Sequence, residues 1–143
     1  MIENSDTFDW YEFYEMGCLL LEKGDEKSLR TAINRFYHAS FCRARDYLIK
    51  NNIYHDEDLN DKLHSDKSIV HSATRDLFKY ATEFRNNGTG RTIHDKLLEL
   101  RDYRNSVDYD SNKINNLIFY ARRSEVDSKK IFNLIQDLEQ INI

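Results

Sequence analysis

Along the chain, hydrophobic residues recur at steps of three and four, the spacing of one helix face, and nowhere at the alternate positions of a half-buried strand. From about Asp9 to Lys23, Trp10, Phe13, Tyr14, Leu20 and Leu21 mark a first helix, closed by Gly24, a residue suited to a left-handed C-terminus. Asp25 can cap a second, carrying Leu29, Ile33, Phe36, Tyr37, Ser40, Ala44, Tyr47 and Leu48 to about Lys50. This helix is long and is predicted to be the central one. A polar connection with a short turn near Asp58–Leu63 leads to a third helix marked by Ile69, Val70, Ala73, Leu77, Phe78 and Ala81, before the loop Asn87-Gly88-Thr89-Gly90. Thr92, or the residues just before it, starts a fourth with Ile93, Leu97, Leu98, Leu100 and Val107. The last segment carries Ile114, Leu117, Ile118, Ala121, Ile131, Leu134, Ile135 and Leu138, and Ser124, Glu125 and Ser128 interrupt its stripe. It reads as one rod with a polar waist or as two shorter helices. The expected fold is all-α, an antiparallel up-and-down bundle of four to five helices, as a single domain over 1–143.

Composition sharpens this picture. The 143 residues contain no proline and four glycines, which excludes sandwiches and barrels built on many tight turns. Hydrophobic residues make up 40% and charged residues 32%, enough apolar material for a packed core. No uninterrupted apolar run approaches the ~20 residues of a membrane span, and the acidic N-terminus lacks the basic start of a signal peptide. A soluble, cytoplasmic protein with no membrane contact is expected. Cys18 and Cys42 fall on different helices without ligand spacing, so neither a disulfide nor a metal site is predicted from them. The net charge of −4 means that any nucleic-acid contact must come from a local basic patch.

Candidate chemistry is sparse. The segment from Asn87 to Thr92 has a glycine loop but neither a preceding strand nor the Gly-Lys-Ser/Thr ending of a phosphate loop, so it reads as an inter-helix turn. His64 and His71 are seven apart and can share a helix face, but no third ligand lies at useful spacing; no metal and no cofactor are predicted. Arg122, Arg123, Lys129 and Lys130, interleaved with Phe119 and Tyr120, read as solvated charge or as an RNA-facing stripe. The aromatics Phe8, Trp10, Tyr11, Phe13 and Tyr14 exceed one buried stripe, and either seal the bundle end or cover a dimer interface. Ala32, Ala39 and Phe41 lie off the main stripe of the second helix and also point to a partner surface. Arg35 interrupts that helix's apolar face; the expected role is structural, as a partly buried ion pair with Asp108. Arg101 and Arg104 are one turn apart and share a face, suited to a phosphate or to surface pairing with Glu99, Asp102 or Asp108, the latter expected for Arg101.

Two segments carry a more specific signal: Ala32-Ile33-Asn34-Arg35-Phe36-Tyr37 in the second helix, and Arg104-Asn105-Ser106-Val107-Asp108-Tyr109 at the end of the fourth, with His71 and Phe78 between them. In order and spacing they resemble the HEPN superfamily, in particular small stand-alone members with an A-I-N-R-x-Y-Y stretch and a later R-x-x-A-D-Y. The resemblance covers essentially the whole chain from the first helix onward. It implies a homodimer in a prokaryotic toxin–antitoxin or other defence module, working by RNA, nucleotide or partner binding, often beside a nucleotidyltransferase-like protein. It also implies, as the alternative, a metal-independent ribonuclease, in which a 2′-hydroxyl attacks its own phosphodiester, an arginine stabilises the phosphorus-centred charge, and a histidine moves the proton. Arg104 and Asn105 match the opening of that motif, but positions four to seven beyond Arg104 are Asp108, Tyr109, Asp110 and Ser111. The histidine is absent, which leaves Tyr109 as the candidate proton carrier beside Arg104 and Asn105. Arg101, Arg104 and Asp108 are the candidate binding residues. A shared cleft around Arg104 in a two-fold dimer would pair one arginine from each chain.

Overall fold

Two residues, Gly24 and Asp25, separate the first pair of helices, α1 (Tyr11–Lys23) and α2 (Glu26–Lys50), and so short a link folds them against each other. Gly24 takes φ +78°, the left-handed conformation that its position at the end of α1 predicts. The computed structural model describes residues 7–85 and 88–141; Asn87 of the glycine loop lies outside them. The remaining elements are α3 (Glu57–Leu63), α4 (Ile69–Tyr80), a 3-10 turn (Thr82–Phe84), α5 (Thr89–Tyr109) and α6 (Leu117–Ile141). Among the described residues the architecture is an all-α bundle of six α-helices. The extra one, α3, is the polar turn of the sequence grown to two turns because the Asp56 side chain accepts from the Leu59 amide at 2.8 Å.

Helix α2 is the axis. It touches all five other helices, and Ala32, Ile33, Phe36, Ala39, Ala44 and Leu48 are fully buried. Ala32, Ala39 and Phe36 pack against Tyr14 of α1 and Phe132 of α6, whereas Phe41 joins the core between α2 and α4. The apolar surplus that pointed to a partner surface is therefore covered within the chain. The aromatics at the start of the chain seal the same end: Trp10 meets Phe8, Phe13 and His38 edge-on and donates its indole N–H to Asp46 at 2.9 Å.

Helix α6 is one rod. Its polar waist is the crossing with α2, where Ser128 Oγ lies 2.6 Å from Ser40 Oγ and both approach the Phe36 carbonyl, at 3.2 and 2.8 Å. Small hydroxyls let the two backbones come close and take their hydrogen bonds inside the contact. The rod begins at Leu117, after the turn residue Asn116 at φ +60°, so Ile114 precedes it. Helix α5 begins at Thr89, and Gly90 in its first turn has no room for a side chain, because a carbon there would strike the Phe78 carbonyl and the Phe84 ring. Among the described residues no helix is long and apolar enough to cross a membrane, and Cys18 and Cys42 are free thiols.

Candidate functional site: an arginine-floored cleft

Three helices each turn a row of residues spaced three or four apart toward one region: Tyr37, Phe41 and Arg45 on α2, His71 and Arg75 on α4, and Arg101, Arg104 and Asn105 on α5. With the connection at 65–68 they frame a surface cleft of about 1050 Å³, whose lining includes Arg45, Lys67, His71, Arg101, Arg104, Asn105 and Tyr109. Arg75 stands one turn beyond His71, and Arg35 one turn before Ala39.

Guanidinium groups dominate here and their partners do not suffice. Among the arginines that line the cleft, the Nε atoms of Arg45, Arg101 and Arg104 are buried without a hydrogen-bond partner; so are Nε of Arg35 and Nη1 of Arg75, which stand outside its lining. Arg45 reaches Asp46 only at 3.9 Å and Arg104 reaches Asp108 at 3.5 Å; among the described residues Arg75 and Arg101 have no carboxylate within 4.0 Å. Aromatic faces give partial support, with Arg104 5.2 Å from the Tyr37 ring centroid, Arg45 5.5 Å from Phe41 and Arg35 5.5 Å from Phe13. None of these replaces a hydrogen-bond acceptor.

The charges also set the state of the groups among them. Tyr37 Oη lies 2.5 Å from His71 Nδ1, and the two rings stack. Burial first, and then the positive fields of Arg101, Arg104 and Arg75, push His71 down to about 4, so it is neutral at pH 7. Burial raises Tyr37 to about 12 against the pull of the same arginines, so its hydroxyl keeps its proton. With both groups neutral, one hydrogen bond joins the Tyr37 hydroxyl and His71 Nδ1, and the imidazole tautomer decides which of them donates. His38 is exposed overall, but its ring lies against Trp10 and Phe13; desolvation, then Arg35, Arg104 and Arg45, lower its pKa as well.

Of the residues singled out in the sequence, Arg101, Arg104, Asn105 and Tyr109 all line the cleft, with Tyr109 76% exposed at its edge. Arg101 departs from the expected surface pairing with Glu99 or Asp102, since α5 turns it toward α2 and α4. The direct Arg35–Asp108 pair is replaced by a relay: Arg35 donates to Asn34 Oδ1 at 2.7 Å, and Asn34 donates to Asp108 Oδ2 at 3.0 Å, the oxygen that also faces Arg104. Asn34 is closer to α5 than Arg35 is and intercepts the carboxylate. His64 ends α3 while His71 sits on α4, so the two do not share a helix. Arg30, unremarked in the sequence, donates to the carbonyls of Val107, Asp110 and Asn112, each at 2.8 Å, and so fixes the end of α5 that carries Asn105 and Tyr109. Sequence reading also missed Arg45, Arg75 and Lys67, which come together only through the packing of α2, α4 and the 65–68 connection.

Comparison with family models, curated proteins and solved structures finds no match.

Proposed function

We propose that the protein is an RNA-binding subunit whose arginine-floored cleft takes phosphate groups of a single strand. One observation carries this reading: three arginines that line it, Arg45, Arg101 and Arg104, each bury an Nε without a hydrogen-bond partner. A buried, unpaired charged donor is costly, and phosphate oxygens supply the missing acceptors in a geometry that guanidinium groups fit. The exposed ring of Tyr109 at the edge offers a stacking surface for a base. The proposal extends, on the HEPN-like resemblance of its motifs alone, to a homodimeric subunit of a prokaryotic defence or toxin–antitoxin module with a nucleotidyltransferase-like partner. The test is fluorescence anisotropy with a short, internally labelled RNA at 50 and 200 mM salt. Binding at the lower salt that falls steeply at the higher, and that weakens about tenfold or more in Arg104→Ala, is the expected result. Absence of binding at 50 mM salt contradicts it.

A second reading, metal-independent ribonuclease, is favoured by the histidine contributed from outside α5. His71 feels Arg101 and Arg104 directly and is hydrogen-bonded to Tyr37, so a neutral imidazole stands beside the phosphate-binding arginines although α5 carries no histidine at its motif position. RNA cleavage in the presence of a chelator, lost in both Arg104→Ala and His71→Ala, supports it; intact RNA after prolonged incubation removes it.

A further inference from the structure

Next to the arginine cleft, and sharing Ser106 and Asp110 with it, the end of α5 carries a second cavity of opposite character, about 360 Å³ in volume. Its apolar wall is Val107, Ile114 and the half-buried rings of Tyr103 and Tyr120, whose centroids lie 5.2 Å apart at 47°. Asp102, Ser106 and Asp110 recur at every fourth residue along it. Among the described residues every charged group in this lining is acidic, and both aspartates are exposed. Arg30, which reaches the carbonyls of Val107 and Asp110, is itself paired with Glu26 at 3.0 Å. Carboxylates and the electron-rich faces of two tyrosines attract a cation and repel a phosphate. The methylene-lined wall favours a cation with aliphatic carbon, which a hydrated metal ion lacks. The rise of a helix puts Asp102 and Asp110 about 12 Å apart along α5, too far for one ion to meet both carboxylates and within reach of two ammonium groups on one flexible chain.

We propose that this cavity binds an aliphatic polyamine, with one ammonium group at Asp102, another at Asp110, and the methylene chain between them against Val107, Ile114 and the two tyrosine rings. The site goes beyond the phosphate-binding reading and stands whether or not the cleft takes RNA. Asp110 spends Oδ1 on the Asn112 amide at 2.9 Å, and its second oxygen is the acceptor for the ligand.

The full chain is titrated calorimetrically with spermidine at about 50 mM salt, with n-butylamine and magnesium chloride as comparisons. Spermidine should bind with a dissociation constant of about 100 μM or tighter, and n-butylamine, which has a single ammonium group, about tenfold or more weaker. Asp102→Asn and Asp110→Asn should each weaken spermidine about fivefold or more, and Tyr120→Leu about threefold or more. Asp102 is exposed, so its variant keeps the test if Tyr120→Leu does not fold. Asp137→Asn removes the same charge from an exposed position on α6 and should leave binding unchanged. Absence of binding at about 1 mM spermidine overturns the site. So does an equal loss in Asp137→Asn and Asp102→Asn, which would reduce the binding to attraction by the net charge of −4. Full displacement of spermidine by equimolar magnesium overturns it as well, since the rings and the apolar wall would then contribute nothing.

Discussion

Helix α5 carries charge on two faces, and the two are built on opposite principles. Toward α6, Lys96 Nζ lies 3.0 Å from Asp127 Oδ1, Arg123 Nε lies 3.5 Å from Asp127 Oδ2, and Arg123 Nη2 lies 3.8 Å from Glu99. Two cations meet two carboxylates, and Asp127, 1% exposed, is held by both cations. Toward α2 and α4, Arg101 and Arg104 share the cleft with Arg45, and the ion pairs there are long, Arg104–Asp108 at 3.5 Å and Arg45–Asp46 at 3.9 Å, while Arg101 has none among the described residues. Charge that is matched inside the chain joins helices; charge left unmatched raises the free energy of the empty protein and lowers it again when an anion arrives. Position along α5 does not separate the two faces, since Lys96 and Glu99 precede Arg101 by less than two turns. What separates them is whether the neighbouring helix brings acids.

The largest effect is expected where the matched face is broken. Asp127→Ala leaves Lys96 and Arg123 without their shared carboxylate and should destabilise the fold by about 3 kcal/mol, near the lower end for buried pairs because both cations reach solvent. Chemical denaturation reads this as a shift of the midpoint, and a change under about 1 kcal/mol would mean that the pair holds nothing together.

Next comes acid. Because the folded protein holds His71 at about 4, below its unfolded value of about 6.5, the unfolded chain binds more protons between those pH values. Stability is therefore complete above pH 6.5 and is lost as pH falls toward 4, by about 2 kcal/mol for this one group once solvent screening of its half-buried ring is allowed for. His71→Asn should flatten that part of the pH profile, and an unchanged slope would show that burial and the neighbouring arginines do not hold His71 below its ordinary range. His38, depressed by desolvation and by Arg35, Arg104 and Arg45, adds to the same slope in both proteins and cancels in the comparison.

A smaller effect of opposite sign is expected on the unmatched face. Arg101→Leu removes a half-buried cation that has no carboxylate partner and should raise the thermal midpoint of the free protein by about 3 °C. The smallest belongs to exposed charge: Arg122→Gln on α6 should change stability by no more than about 0.5 kcal/mol.

Much of this architecture can be read from the sequence because helical periodicity is local. The stripe from Leu29 to Leu48, Gly24 at the end of α1 and the absence of proline determine helices, their order and an all-α core. The continuity of α6 is different: Ser124 and Ser128 look like a break until α2 is seen to cross there with Ser40. The site was half visible. Arg101, Arg104, Asn105 and Tyr109 share one segment and register as a motif, whereas Arg45 and His71 reach the same cleft from two other helices, and no spacing along the chain encodes that meeting. The Arg35–Asp108 pair failed for a related reason, since a shift of one residue around α2 puts Asn34 in front of the carboxylate.

Whether the cleft is an anion site whose unmatched arginines destabilise the empty protein is read from thermal midpoints of the wild type and Arg101→Leu, without RNA and with a short RNA at about 100 times its dissociation constant, where ligand adds about 2.7 kcal/mol of stability. The two curves should exchange order, the variant melting higher when empty and the wild type melting higher with RNA. A wild type that is the more stable of the two without RNA and gains no more than the variant when RNA is added would show that Arg101 neither costs the empty protein stability nor binds the strand.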